Sequence, residues 1–197
     1  MRVGAKHVLR PMSGSLLISL IALLVVALLG GYLYFKRKRQ QKISEILSDP
    51  NLLAHWTYTP LEWEKAVTDE FTWAKSQGAG GDVYVSPTAV YVKSGSSDQL
   101  IALSGDGKVV TNASYRGTEG SPLKFRVRWK VVRRNEHGQD EVKYYKEDYR
   151  IPVPLRLSEE ARRVVDFFTN RLQNNLEAYT AVVPDDEPIS LFGKDTY

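Results

Sequence analysis

The sequence predicts an α+β protein in which a single N-terminal transmembrane helix precedes an antiparallel β-sheet domain of about six to seven strands with two amphipathic helices. Three observations carry this expectation. Leu16 to Phe35 is a run of twenty residues without a charge. Apolar and polar residues alternate repeatedly between Asp82 and Val153, as in half-buried strands. Apolar residues three and four apart, starting at Pro60 and again at Ser158, mark a helix on either side of that region.

Residues 1–15 form a short basic segment, and residues 16–35 are the expected span. At about 1.5 Å per helical residue such a run just crosses a ~30 Å hydrocarbon core, where a helix satisfies its own backbone. Lys36, Arg37, Lys38, Arg39 and Lys42 follow it, against Arg2, Lys6 and Arg10 before it. The richer flank tends to stay cytoplasmic. The expected location is therefore a cell membrane, single-pass, with the N-terminus outside, the C-terminal domain cytoplasmic and the lipid bilayer as first partner. The cluster from Lys36 to Lys42 is a candidate contact for anionic lipid. Ser15, Ser19, Ala27 and Gly31 recur at multiples of four and form a candidate helix-dimer stripe, with a homodimer as its consequence.

Charge bookkeeping sharpens the partner expectation. The chain holds 27 Lys+Arg and 23 Asp+Glu, for a net +4. Eight of those cations and none of the acids fall in residues 1–42, leaving 19 against 23, or −4, for residues 43–197. The basic pI of about 9.2 belongs to the flanks of the apolar run. No nucleic-acid partner is expected on that distribution.

The remaining elements follow in order. Residues 36–54 make the juxtamembrane stalk: Gln40 to Leu47 continues the helix and Ser48-Asp49-Pro50-Asn51 ends it. His55 to Tyr58 is a short strand. Thr59-Pro60-Leu61-Glu62 is a capping box, and Trp63, Val67, Phe71 and Ala74 give the helix behind it one apolar face to about Ser76. Gln77 to Gly81 terminates it. Val83/Val85, Val90/Val92, Leu100 to Leu103 and Lys108 to Tyr115 read as strands of two hairpins, with Gly105-Asp106-Gly107 as a tight turn.

Phe125, Val127, Trp129 and Val131 then alternate with Lys124, Arg126, Arg128 and Lys130, a half-buried strand with a cationic outer face. Asn135 to Asp140 turns the chain and Glu141 to Val153 returns. A turn centred on His137-Gly138 sets Arg128 opposite Glu147, Lys130 opposite Tyr145 and Arg126 opposite Tyr149. Arg126, Arg128, Lys130, Tyr145 and Tyr149 are thus the candidate face for a protein partner or a lipid headgroup.

Pro152 and Pro154 close the sheet. Ser158 caps a second helix, whose stripe runs Ala161, Val164, Val165, Phe168, Leu172, Leu176, Tyr179. The soluble domain covers residues 55–179, and residues 180–197 are an acidic tail. An antiparallel meander closed by a C-terminal helix resembles a partly closed pleckstrin-homology-like barrel in outline, without a shared residue motif.

The chemistry-bearing residues are sparse. Three histidines lie far apart, cysteine is absent, and no phosphate-loop or metal spacing occurs. No catalytic, metal or cofactor-binding residue is nominated and no cofactor is expected. The function expected is a membrane-anchored binding or scaffold protein acting on protein partners. An anionic-lipid-sensing module using the Lys124–Lys130 face is the first alternative. A membrane-tethered enzyme or assembly factor with its domain outside is the second.

Overall fold

In the computed structural model, residues 14–66, 80–118 and 121–183 are described, without the side chains of residues 14–18, 20, 65 and 66. The chain divides into two units, Met1–Ser44 and Glu45–Tyr197. Helix α1 (Gly14–Leu47) makes up the described part of the first, and its last turn belongs to the second.

The expected membrane span is overturned. Among the described residues, no helix is long and apolar enough to cross a membrane. Among the described side chains, eighteen in a row from Ile21 already take in three charges, Lys36, Arg37 and Lys38, too many for a helix lying in hydrocarbon. The single-pass location, its orientation and the transmembrane part of the fold class fall with the span. Of the dimer stripe, Ser19 and Ala27 are exposed, Gly31 is half-buried, and the side chain of Ser15 lies outside the described residues.

The second unit is α+β with two antiparallel sheets. The first has the order β1 (Ala54–Tyr58), β2 (Gly81–Val85), β3 (Ala89–Ser94), β4 (Ser97–Ala102). The second has the order β5 (Val109–Ser114), β6 (Leu123–Arg134), β7 (Asp140–Ile151). The strands thus divide between two sheets in place of one partly closed barrel. Local chemistry explains the joints. Between β2 and β3 the buried Ser86 hydroxyl accepts from the backbone N–H of Ala89 (3.1 Å) and of Thr88 (3.3 Å). Between β4 and β5, Asp106 and Gly107 both take positive φ, 52° and 77°, and Lys108 N–H donates to Gly105 C=O at 2.9 Å. These φ values suit a type I′ turn; it closes the isolated bridge Gly105↔Lys108, and the strands before and after it lie in different sheets.

The capping box forms as expected. Glu62 Oε2 accepts from Thr59 N–H at 2.9 Å and from its hydroxyl at 3.0 Å, and Glu62 N–H donates back to Thr59 Oγ1 at 3.3 Å. It starts helix α2 (Pro60–Ala66). The continuation expected through Val67, Phe71, Ala74 and Ser76 lies outside the described residues. Trp63 lies over Gly81, where a Cβ would stand 2.6 Å from the indole ring, so only glycine admits this contact.

One core joins both sheets and the C-terminal helix α3 (Ser158–Gln173). Trp56, Val83, Val85, Val90 and Val92 line the first sheet, and Leu123, Phe125, Val127 and Ile151 the second. Ala161, Val164 and Phe168 close it from α3, with Phe168 edge-on to Phe125 at 5.3 Å. Ser158 does not cap this helix by its side chain: its hydroxyl donates to Leu155 C=O at 2.6 Å within the 3-10 turn before it. The single helix expected to Tyr179 breaks at Asn174 and Asn175. Asn175 Oδ1 then accepts from Ala178 N–H (3.3 Å) and caps α4 (Leu176–Thr180). Val182 and Val183, assigned to the tail by sequence, are buried with Leu172 and Tyr179 in a small second cluster.

Candidate functional site

Strands β6 and β7 are twelve residues each, twice the length of β5. The last rung between β5 and β6 is Val109↔Arg128. From Trp129↔Tyr145 to Arg134↔Asp140, β6 and β7 pair only with each other, as a two-stranded ribbon. A bare two-stranded ribbon is marginal in water. Here its base is braced by an aromatic pile: Trp129 stacks on Tyr145 at 5.5 Å, and Lys108 Nζ sits 4.6 Å over the Trp129 ring.

The tip is built by Asn135 and Gly138. Asn135 N–H donates to Gln139 C=O (2.8 Å), Gly138 N–H donates to Asn135 C=O (3.0 Å), and Gly138 takes φ 76°. The Asn135 side chain accepts from the N–H groups of His137 (3.0 Å) and Gln139 (2.9 Å). The loop is therefore three residues, Glu136 to Gly138, with glycine in the left-handed position.

That odd count corrects the register. A two-residue turn would set Arg128 opposite Glu147; the structure sets Arg128 opposite Lys146, Lys130 opposite Tyr144 and Arg126 opposite Asp148. A slip of one residue turns every β7 side chain to the other face. Tyr145 and Tyr149 therefore leave the face of Arg126, Arg128 and Lys130. Tyr145 lies on Trp129, and the Tyr149 hydroxyl donates to Glu147. Partial burial, with Glu147 adding, raises the Tyr149 hydroxyl well above the ordinary tyrosine range.

Opposed residues share a face. One face of the hairpin carries Lys124, Arg126, Arg128, Lys130, Arg134, Lys146 and Arg150 with only Asp140 and Asp148, seven cations to two acids. The other carries Arg133 and Lys143 with Glu141 and Glu147, two to two. Sequence reasoning found the β6 cations and missed Lys146 and Arg150. The signal available was the Asn135/Gly138 spacing, which suits a three-residue loop.

Two rungs of the cationic face, Lys124↔Arg150 and Arg128↔Lys146, set like charges directly opposite. Asp148 partly offsets them. Arg126 donates to it through Nε (2.7 Å) and Nη2 (3.0 Å) and, helped by Lys146 and Arg128, holds its carboxyl below the usual range. Val132, Val142 and Tyr144 lie exposed near the tip on this same face. As the outer strand of its sheet, β7 also presents a row of backbone donors and acceptors outward.

No family model, curated protein or solved structure matches the chain.

Among the described residues, His55 and Asp82 come near each other but without a nucleophile on the imidazole. His55 Nε2 stands 3.7 Å from Asp82 Oδ1, but Thr57 donates to that same carboxylate at 2.8 Å and not to the imidazole. A nucleophile needs the base as its hydrogen-bond partner, which this order withholds. Among the described residues no three His, Asp or Glu side chains gather as metal ligands. Lys36, Arg37, Lys38, Arg39 and Lys42 are exposed along α1.

Proposed function

We propose that the second unit is a protein-binding module whose ligand is an extended acidic segment of a partner, added as a strand along β7. The seven-to-two excess of cations on one hairpin face supports this reading most directly. A strand laid on the β7 edge gains main-chain hydrogen bonds, and its alternate side chains fall on the cationic face. Acids at those positions meet Lys146 and Arg150. The net −4 of residues 43–197 favours such short-range pairing over long-range capture of a nucleic acid.

The test uses the full chain and two peptides of equal length and charge, one with glutamates at alternate positions and one with the glutamates in a block. The alternating peptide is expected to bind more tightly, to weaken with salt, and to lose roughly tenfold or more in affinity when Lys146 and Arg150 are both changed to Glu. Equal binding of the two peptides overturns the strand-addition reading. Stronger binding to anionic vesicles or to a single-stranded oligonucleotide assigns the face to a lipid surface or to nucleic acid instead.

A further inference from the structure

Behind the β4–β5 turn lies a cavity of about 280 Å³ that no residue of β6 or β7 lines. It sits near the lower end of ligand-pocket sizes, ~300–1,000 Å³, and so suits a small molecule. Its walls divide by chemistry. Leu103, Val110, Phe168 and Leu172 are buried and apolar, and Ser104, Lys108, Arg171 and Asn175 supply polar groups.

The polar groups share one sign. The lining holds two cations and no carboxylate. Arg171 is fixed in place because Nη1 donates to Pro87 C=O at 2.8 Å. Lys108 is held over Trp129 by its ring and not by an acid. Asn175 has its Oδ1 engaged with Ala178 N–H, which leaves its amide nitrogen as a donor. A cation is repelled here. A phosphate-sized anion without a hydrocarbon part leaves the walls of Leu103 and Phe168 uncovered.

We propose that this cavity binds a small organic anion with an apolar body, its carboxylate between Lys108 and Arg171 and its hydrocarbon part against Leu103, Phe168 and Leu172. The proposal is independent of the β7 ligand. Charge-assisted hydrogen bonds to the carboxylate fix the orientation, and burial of the hydrocarbon supplies the rest of the affinity.

Octanoate and its uncharged analogue octanol are the probes, titrated into the full chain while amide resonances are followed. Octanoate is expected to shift the resonances of Ser104, Lys108, Leu172 and Asn175 and to bind roughly tenfold more tightly than octanol. Lys108→Gln should weaken octanoate by a similar factor with little change for octanol. Ser104→Asp, which sets a carboxylate in the lining, should abolish octanoate binding. Arg171 is left intact because it also holds Pro87. Equal binding of the two probes, no shift at the lining residues, or shifts confined to the exposed ribbon overturns the proposal. The comparison of probes on the unaltered chain stands even if a variant fails to fold.

Discussion

Trp129 and Tyr145 face each other across the β6–β7 ladder, ring centroids 5.5 Å apart and planes 12° from parallel, at the point where the third strand ends. An offset aromatic pair adds about 0.5–1.5 kcal/mol beyond its buried area, a large share of what a two-stranded ribbon has. Tyr145→Ala should therefore loosen the ribbon without unfolding the core. Amide exchange at Val131 to Arg134 and at Glu141 to Lys143 should accelerate, while Val83 and Val92 keep their protection. Uniform acceleration across both groups would count against a local role for the stack.

Two glycines separate steric from conformational cost. A Cβ at Gly81 would meet the Trp63 ring at 2.6 Å, between elements that cannot part without opening the core. Gly81→Ala should cost about 1–3 kcal/mol by overpacking. Gly138 has open space around it and only its φ of 76° to defend, so Gly138→Ala should cost nearer 1 kcal/mol. Urea midpoints of the two variants give the order, and an equal loss would refute the Trp63 contact.

Asp148 makes stability depend on pH in a defined direction. Arg126 lowers its folded-state pKa, so its contribution is present above the unfolded value, about 4, and fades as pH falls through the depressed folded value. Asp148→Asn should destabilise at pH 7 by less than ~1 kcal/mol, because the pair is half-exposed and screened. The gap between variant and parent should close as pH falls through the depressed folded value. Denaturant curves at a series of pH values show whether it does.

The capping box gives a graded series. Thr59→Ala removes the hydroxyl that takes Glu62 N–H and should cost about 1 kcal/mol. Glu62→Gln keeps an acceptor for Thr59 N–H but loses the ion pair with Arg156 at 2.5 Å. It should cost less than Glu62→Ala, which loses both. Thermal midpoints of the three variants test the ranking.

The sequence disclosed most where one local rule decided the outcome. Thr59 and Glu62 sit three apart and make their cap, Gly105 to Gly107 make their turn, and the alternation lands Phe125 and Val127 in the core, though it lapses beyond them, where Arg128 is buried and Trp129 and Val131 are half-buried. It disclosed least where two rules competed. His137-Gly138 reads as a two-residue turn, yet Asn135 can fold its side chain over a three-residue loop, and that placed Lys146 and Arg150 out of sight. The lining of the cavity brings together Leu103 and Phe168, far apart in the chain. Local spacing carries no trace of this. Length misled in α1: the run counted from Leu16 ends against Lys36, Arg37, Lys38 and Arg39, and among the described residues the helix that carries it is not apolar enough to cross a membrane.

The free part of the β6–β7 hairpin is six rungs, at about 3.4 Å each roughly 20 Å of reach. Because side chains alternate with period two, removing two facing rungs shortens it by about 7 Å and leaves each remaining residue on its own face. Removing one residue from a single strand instead inverts that strand beyond the cut. The hairpin thus behaves as a ruler graduated in pairs: its length is adjustable in whole divisions, while the charge pattern along it stays the same.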